Sequence, residues 1–224
     1  MDEKSNEITA IPELLDKIQI KGQIITIDAM GTQKGIAEKV RKKRADYVLA
    51  LKGNQMGIYE DIKLYLSDPE VQQEIRKKGD YLCTVEKAHG QLERRKYYQT
   101  GEIKWLSGRK EWKGLKSIGM EEKGERKENR YYISSLSPEI ESFRRAVRGH
   151  WSVESMHWHL DVTFREDANT TLDKQAAQNQ NIIRKWSLSI LKMVEVLKPG
   201  LSMKKKRFAI SLCPTKYLEE VLSF

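Results

Sequence analysis

A chain of 224 residues fits one large domain or a core with a sizeable insertion, because single hydrophobic cores grow to roughly 250 residues before they split. With 39% hydrophobic and 33% charged residues and a mean hydropathy of −0.66, the chain can bury a core. It has no apolar run near the ~18 residues of a spanning helix, so a transmembrane protein is excluded. Forty-one Lys and Arg against 32 Asp and Glu give a formal charge of +9, which favours a polyanionic partner without choosing among polyanions.

The polar start Met1-Asp2-Glu3-Lys4 lacks the features of a secretory signal, which places the chain in the cytoplasm. Pro12 followed by Glu-Leu-Leu-Asp-Lys-Ile predicts an amphipathic helix over Ile11 to Ile20, with proline preorganised for the first turn. Ile24 to Asp28 is a β-branched run that suits a strand buried on both faces and ends in a carboxylate. A helix from Lys34 to Arg44 and a second buried strand over Tyr47 to Leu51 complete a βαβ unit with a parallel pair. A polar helix covers Met56 to Leu66, and Ser67-Asp68-Pro69 marks its end or a kink before more charged helix to Lys78.

From Asp80 to Leu136 the texture turns mostly β. Strands are expected over Tyr81 to Glu86 and Gln91 to Gln99 around Ala88-His89-Gly90, and over Leu115 to Glu121 and Tyr131 to Ser134 around a polar Lys123 to Asn129 turn. Ser137 as N-cap and Pro138 at the first position open a long helical stretch. It includes Ala176 to Leu197 and stops at Pro199-Gly200. The two cysteines, Cys83 and Cys213, have no C-x-x-C partner, so neither a zinc ribbon nor a disulfide framework is encoded.

Asp28 closes a strand, and in α/β sheets sites form beyond the carboxyl ends of strands, where a carboxylate can reach a metal ion. An N-cap or turn role for Asp28 carries about equal weight on spacing alone. The segment Arg148 to Asp167, R-G-H-W-S-V-E-S-M-H-W-H-L-D-V-T-F-R-E-D, concentrates unusual residues. On one continuous helix, His150, Glu154, His157 and Asp161 share a face, flanked by a Trp151 and Trp158 stripe that reads best as core. Three of the four histidines crowd here, yet no H-E-x-x-H spacing is present, and a zinc hydrolase built on His150 and Glu154 has no third ligand. Arg41-Lys42-Lys43-Arg44, the group Arg144, Arg145 and Arg148, and Lys204 to Arg207 are basic clusters. Singly they read as solvated faces; together they favour nucleic acid.

The strings I-T-I-D-A-M-G-T-Q (Ile25 to Gln33), Y-V-L-A-L-K-G-N-Q (Tyr47 to Gln55), A-H-G-Q-L-E-R-R (Ala88 to Arg95), Y-Y-I-S-S-L (Tyr131 to Leu136) and the Arg148 to Asp167 segment resemble an insertion-sequence transposase of the DDE type. The similarity is to the H-repeat-associated group related to the ISAs transposases, and it runs over nearly the whole chain. The resemblance implies an α/β fold with an RNase H-like core, incomplete at the N-terminus, a β-rich insertion and C-terminal helices. The corresponding division is 1–79 for the first part of the core, 80–136 for the insertion and 137–224 for the helical remainder.

By the same resemblance Asp28 is the second acid of a catalytic triad and Glu154 the third. Both would ligate Mg²⁺ or Mn²⁺, with carboxylates about 4 to 9 Å apart as metal-linked acids require. Arg41, Lys42, Lys43, Arg44, Lys52, Arg144, Arg145, Arg148, His150 and His157 would face DNA at transposon ends, with a homodimer left open. The family's first acid sits on a strand upstream of everything present, and neither Asp2 nor Asp16 stands on such a strand. The chain therefore reads as the C-terminal part of a transposase, binding DNA without efficient cleavage. The alternative is a non-catalytic DNA-binding or regulatory protein.

Overall fold

Ile24 to Ile27 and Asp46 to Leu51 are β-branched and aliphatic runs too short for helices, and in the computed structural model they form strands β1 (Ile24–Ile27) and β2 (Asp46–Leu51). These pair in parallel, Ile24 opposite Asp46 and Ile27 opposite Leu49, and α2 (Lys34–Lys42) joins them as the expected βαβ unit. The structure describes residues 7–88, 91–124, 128–195 and 199–217. The chain divides into two compact units, Met1–His150 and Trp151–Phe224.

In the first unit α1 (Glu7–Lys17) precedes β1, and α3 (Met56–Ser67) and α4 (Pro69–Lys77) follow β2. Pro69 opens α4 behind an Asp68 cap, so Ser67-Asp68-Pro69 separates two helices. Strands β3 (Tyr81–Ala88), β4 (Gln91–Thr100), β5 (Ser117–Lys123) and β6 (Glu128–Ser134) pair antiparallel in sequence. β6 then pairs antiparallel with β2, Val48 opposite Ser134 and Leu51 opposite Tyr131. The result is a single six-stranded mixed sheet in the order β1-β2-β6-β5-β4-β3, and residues 80–136 continue the sheet begun by β1 and β2. The turns expected at His89-Gly90 and within Lys123 to Asn129 involve residues 89–90 and 125–127, outside the described residues.

Successive strand residues point to opposite faces, and Tyr131 and Tyr132 on β6 show which helices cover each. Tyr131 packs edge-on against Tyr59 of α3, ring centroids 5.8 Å apart. Tyr132 meets Phe143 of α5 (Ile140–His150) at 5.6 Å. The α3 face holds the main core, with Leu49, Ile62, Leu66, Tyr98, Ile118 and Ile133 wholly buried. On the other face α5 lies against β1, β2, β3 and β4. Its close approach needs Gly119, where a Cβ would stand 2.4 Å from Phe143 Cζ.

The second unit contains α6 (Ser152–Trp158), a π-helical turn (His159–Thr163), α7 (Lys174–Met193) and α8 (Met203–Leu212). No helix among the described residues is long and apolar enough to cross a membrane.

Several expectations are corrected. α1 begins at Glu7 and ends at Lys17, so Pro12 lies inside the helix; the anchoring apolar contacts are Ile11 and Leu15 on the core, and they tolerate the lost hydrogen bond. The helix after Leu136 is started by Glu139, whose Oε2 accepts the Ser142 N–H at 3.0 Å, in place of Ser137. α7 starts two residues before Ala176, where the Asp173 carboxylate accepts the N–H groups of Gln175 and Ala176. Finally, Arg148 to Asp167 is not one helix. It breaks after His150, next to Gly149, a residue of low helix propensity.

Candidate functional site

The break after His150 divides the residues expected on one helical face. His150 ends α5 in the first unit, where its Nδ1 lies 3.3 Å from Thr26 Oγ1 of β1. Glu154 and His157 lie three residues apart on α6 in the second unit, both exposed, and Asp161 falls in the π-helical turn beyond them. His159 Nδ1 sits 3.4 Å from Thr163 Oγ1; burial, and then the charge of Lys192, hold its pKa below the usual imidazole value.

Asp28 stands one residue past the end of β1, exposed to solvent. The strand carries it to the carboxyl edge of the parallel pair, and the loop after it folds back. Asp28 Oδ1 accepts the Gly31 N–H at 3.0 Å, and Thr32 Oγ1 lies 2.8 Å from the Asp28 carbonyl oxygen. A turn aspartate and a cation ligand are therefore compatible here, since one carboxylate oxygen is held by the loop and the other takes no bond from it. Beyond the same strand ends lies a cavity of about 710 Å³ lined by Thr32, Gln33, Lys34, Asn54, Gln55 and Trp112, among others. Lys34 there forms an ion pair with Glu111.

Hard oxygen donors such as Asp28 suit Mg²⁺ or Mn²⁺, so this residue fits one position of a divalent-cation site. Among the described residues no three His, Cys, Asp or Glu side chains are grouped to hold a metal ion, so the set is not completed by what surrounds Asp28. Among the described residues the zinc arrangement considered for His150 and Glu154 likewise gains no third ligand.

The basic residues divide between internal and exposed roles. Arg41 pairs with Asp46 and donates to the Ala45 carbonyl. Lys43 reaches the carbonyls of Leu15, Asp16 and Ile18 at the end of α1, completing orphaned acceptors of a helix C-terminus. Lys42 is exposed beside Glu38. Arg44 is exposed in the left-handed region at φ 59, where its N–H and that of Ala45 bond to the Arg41 and Val40 carbonyls and end α2.

Arg144 grips Glu141, which keeps that carboxyl below its ordinary range, and Arg148 pairs with Glu86 of β3 at 2.7 Å. Arg145 and Lys52 are exposed. In the second unit Lys206 is buried and donates to the Leu191 and Val194 carbonyls, while Arg207 bonds to the Thr163 carbonyl. Within the run Lys204 to Arg207, Lys206 is buried and the other three are exposed, Arg207 turning its guanidinium onto that carbonyl. Position on helix termini, which composition does not reveal, decides which cations face inward.

Asn54, Gln55 and Thr32, absent from the residues expected at the site, link the loops beyond β1 and β2. Asn54 and Gln55 close the string K-G-N-Q and Thr32 lies in D-A-M-G-T-Q. Those strings were the available signal, with nothing local to give their partners.

The chain is similar to two Escherichia coli proteins over nearly its whole length. It is 40% identical over 231 residues to "Putative transposase YncI" of strain O157:H7, covering 98% of this chain and 58% of the relative. It is 41% identical over 239 residues to "H repeat-associated putative transposase YhhI" of strain K12, covering 99% of this chain and 60% of the relative. The K12 protein "H repeat-associated putative transposase YbfD" is 48% identical over 94 residues, 42% of this chain and 36% of the relative. The chain thus spans about three fifths of the length of the first two relatives. No solved structure matches it. The family model described as "Transposase DDE domain" matches residues 2–190, well over half of the chain, and the chain belongs to that family.

Proposed function

We propose that this chain acts on DNA as part of a transposase, with Asp28 and Glu154 as two oxygen ligands of Mg²⁺ or Mn²⁺ and the exposed cations Lys42, Arg44, Lys52 and Arg145 on backbone phosphates. The observation that carries the reading is the exposed Asp28 carboxylate just past the end of parallel strand β1, in a chain of the DDE family. The six-stranded sheet flanked by helices is what an RNase H-like core extended by further strands would look like, and that assignment belongs to the same reading. A divalent cation bound there supplies Lewis-acid stabilisation of a phosphoryl group and its leaving oxygen. The chain's own residues present carboxylate oxygens from a strand end and a helix, and balance phosphate charge with Lys and Arg.

Two carboxylates give less charge and rigidity than a full ligand set, so this chain alone binds cation weakly and cleaves DNA inefficiently. The second reading, a non-catalytic DNA-binding protein, is favoured by the lack of a three-ligand group among the described residues.

Duplex DNA binding measured against salt tests the shared part. If each of the four exposed cations neutralises one phosphate, the slope of log K against log salt is about −3 to −4, and each alanine variant reduces it by about 1. Binding that is indifferent to salt contradicts both readings. Mn²⁺ binding that survives both Asp28→Asn and Glu154→Gln contradicts the first alone.

A further inference from the structure

The strings D-A-M-G-T-Q and K-G-N-Q lie 25 residues apart in sequence at Ala29 and Asn54, and the fold ties them together. Asn54 Nδ2 donates to the Ala29 carbonyl at 2.7 Å. Gln55 Nε2 donates to the Ala29 and Thr32 carbonyls at 2.9 and 3.0 Å. Gln55 Oε1 accepts the Lys52 N–H at 3.3 Å, so the amide has one sensible orientation, oxygen toward Lys52 and nitrogen toward the β1 loop. Thr32, 1% exposed, places Oγ1 2.8 Å from the carbonyl oxygens of both Asp28 and Ala50, sharing its proton between the two strand ends.

The loop gripped in this way is the one that orients Asp28. Gly31 donates its N–H to Asp28 Oδ1 and has no room for a side chain: a Cβ would come within 2.6 Å of Ile27 Cγ2 and 2.8 Å of Ile11 Cδ1. The loop is therefore pressed onto β1 and α1 from one side and held by its carbonyls from the other. We propose that Asn54 and Gln55 are positioning residues that set the orientation of the Asp28 carboxylate, acting through the Ala29 to Thr32 backbone. Its functional consequence rests on reading Asp28 as a cation ligand; the positioning itself does not. Groups behind a metal ligand act in this way generally, by fixing which lone pairs the ligand presents.

The test uses the full 224-residue chain, ¹⁵N-labelled, as wild type, Asn54→Ala, Gln55→Met, the double variant and Asp28→Ala. Amide exchange at Gly31 reports the loop geometry, and exchange at Leu49, wholly buried in β2, reports the fold. Mn²⁺ broadening of the Gly31 and Thr32 amides reports the carboxylate. The expected result is a loss of Gly31 protection on the order of 10-fold in each single variant, approaching the Asp28→Ala level in the double variant, with Leu49 unchanged. The Mn²⁺ concentration for half-broadening rises on the order of 10-fold.

Gly31 protection that stays at the wild-type level in the double variant overturns the proposal. If the double variant also loses Leu49 protection, Gln55→Met decides, because it preserves the side chain's length while removing the amide that donates to the Ala29 and Thr32 carbonyls and accepts from Lys52. If Mn²⁺ leaves wild-type Gly31 sharp while Gly31 exchange responds as expected, the positioning stands and the reading of Asp28 as a ligand fails.

Discussion

In residues 7–150 a six-stranded sheet lies between helices, and both of its faces are covered, so Leu49, Ile62, Tyr98, Ile118 and Phe143 are removed from water entirely. In residues 151–217 the buried apolar side chains among the described residues are Leu160, Leu188, Leu191, Val194, Ala209 and Tyr217, while Trp158, Trp186 and Phe208 remain more than half exposed. A sheet with helices on both faces buries side chains from both sides of its central strands, whereas each helix buries only one stripe. The second unit compensates with polar fastening: Asp173 and Ser202 cap α7 and α8, and Lys206 holds the end of α7. The first unit should therefore fail through packing and buried charge, and the second through lost caps. Local opening free energies should be lower in the second.

The largest expected effect lies in the first unit. Glu121 is wholly buried on β5 and pairs with Arg95 of β4 at 2.7 Å, with Tyr97 Oη 3.3 Å away; burial, and next the Glu121 carboxylate, push the Tyr97 hydroxyl above its ordinary pKa. Glu121→Gln keeps the shape and strips the charge, leaving Arg95 with only Glu93. Removing one partner of a buried pair costs about 3 kcal/mol or more, a fall in the unfolding midpoint of roughly 6 to 12 °C for a chain of this size. The matched double variant Arg95→Met with Glu121→Met should recover most of it. A Glu121→Gln protein that unfolds within 1 °C or so of wild type would show that Glu93 alone satisfies Arg95, and the contrast between the units would weaken.

A middle-sized effect belongs to the second unit. Lys206 is 6% exposed, and its ammonium serves the Leu191 and Val194 carbonyls. Lys206→Met fills the same space and leaves those acceptors unpaired, at a cost of about 1–2 kcal/mol. Hydrogen exchange should quicken in α7 and α8 while Leu49 and Ile133 in the sheet stay protected. Equal quickening in both units would mean that they open as a single cooperative body.

These residues also show how far the sequence could be read. Strands β1 and β2 were legible as short apolar runs and β3 to β6 as β-branched and aromatic segments, all local signals, although β1 is an edge strand only partly buried and not covered on both faces as expected. The parallel pair was legible because a strand, helix and strand in that order permit little else. Asp28 was legible as a carboxylate at a strand end. The break after His150 was not, because a 3.6-residue periodicity running across it imitates one helix, and the charge runs hid which cations cap helices. Lys43 and Lys206 look identical to Lys42 until the ends of α1 and α7 are in place. The Asn54 and Gln55 contacts left no local signal, since their partners are backbone carbonyls on another loop and carry no side-chain signature.

The smallest effect sharpens the comparison through pH. Burial, and secondarily Lys192, hold the His159 pKa below its ordinary value of 6.5, so the folded second unit prefers the neutral ring. The unfolded chain takes up a proton as pH falls through about 6.5, and the folded one does so only at lower pH. The contribution of His159 is therefore fully present above about pH 6.5 and is lost progressively below it, until the folded-state pKa is reached. Exchange free energies of the Leu188 and Leu191 amides, corrected for intrinsic rates, should fall between pH 7.5 and 5.5 more than that of Leu49. His159→Asn should flatten that slope without touching the sheet. An undiminished slope in His159→Asn would assign the acid sensitivity of the second unit to groups other than this half-buried imidazole.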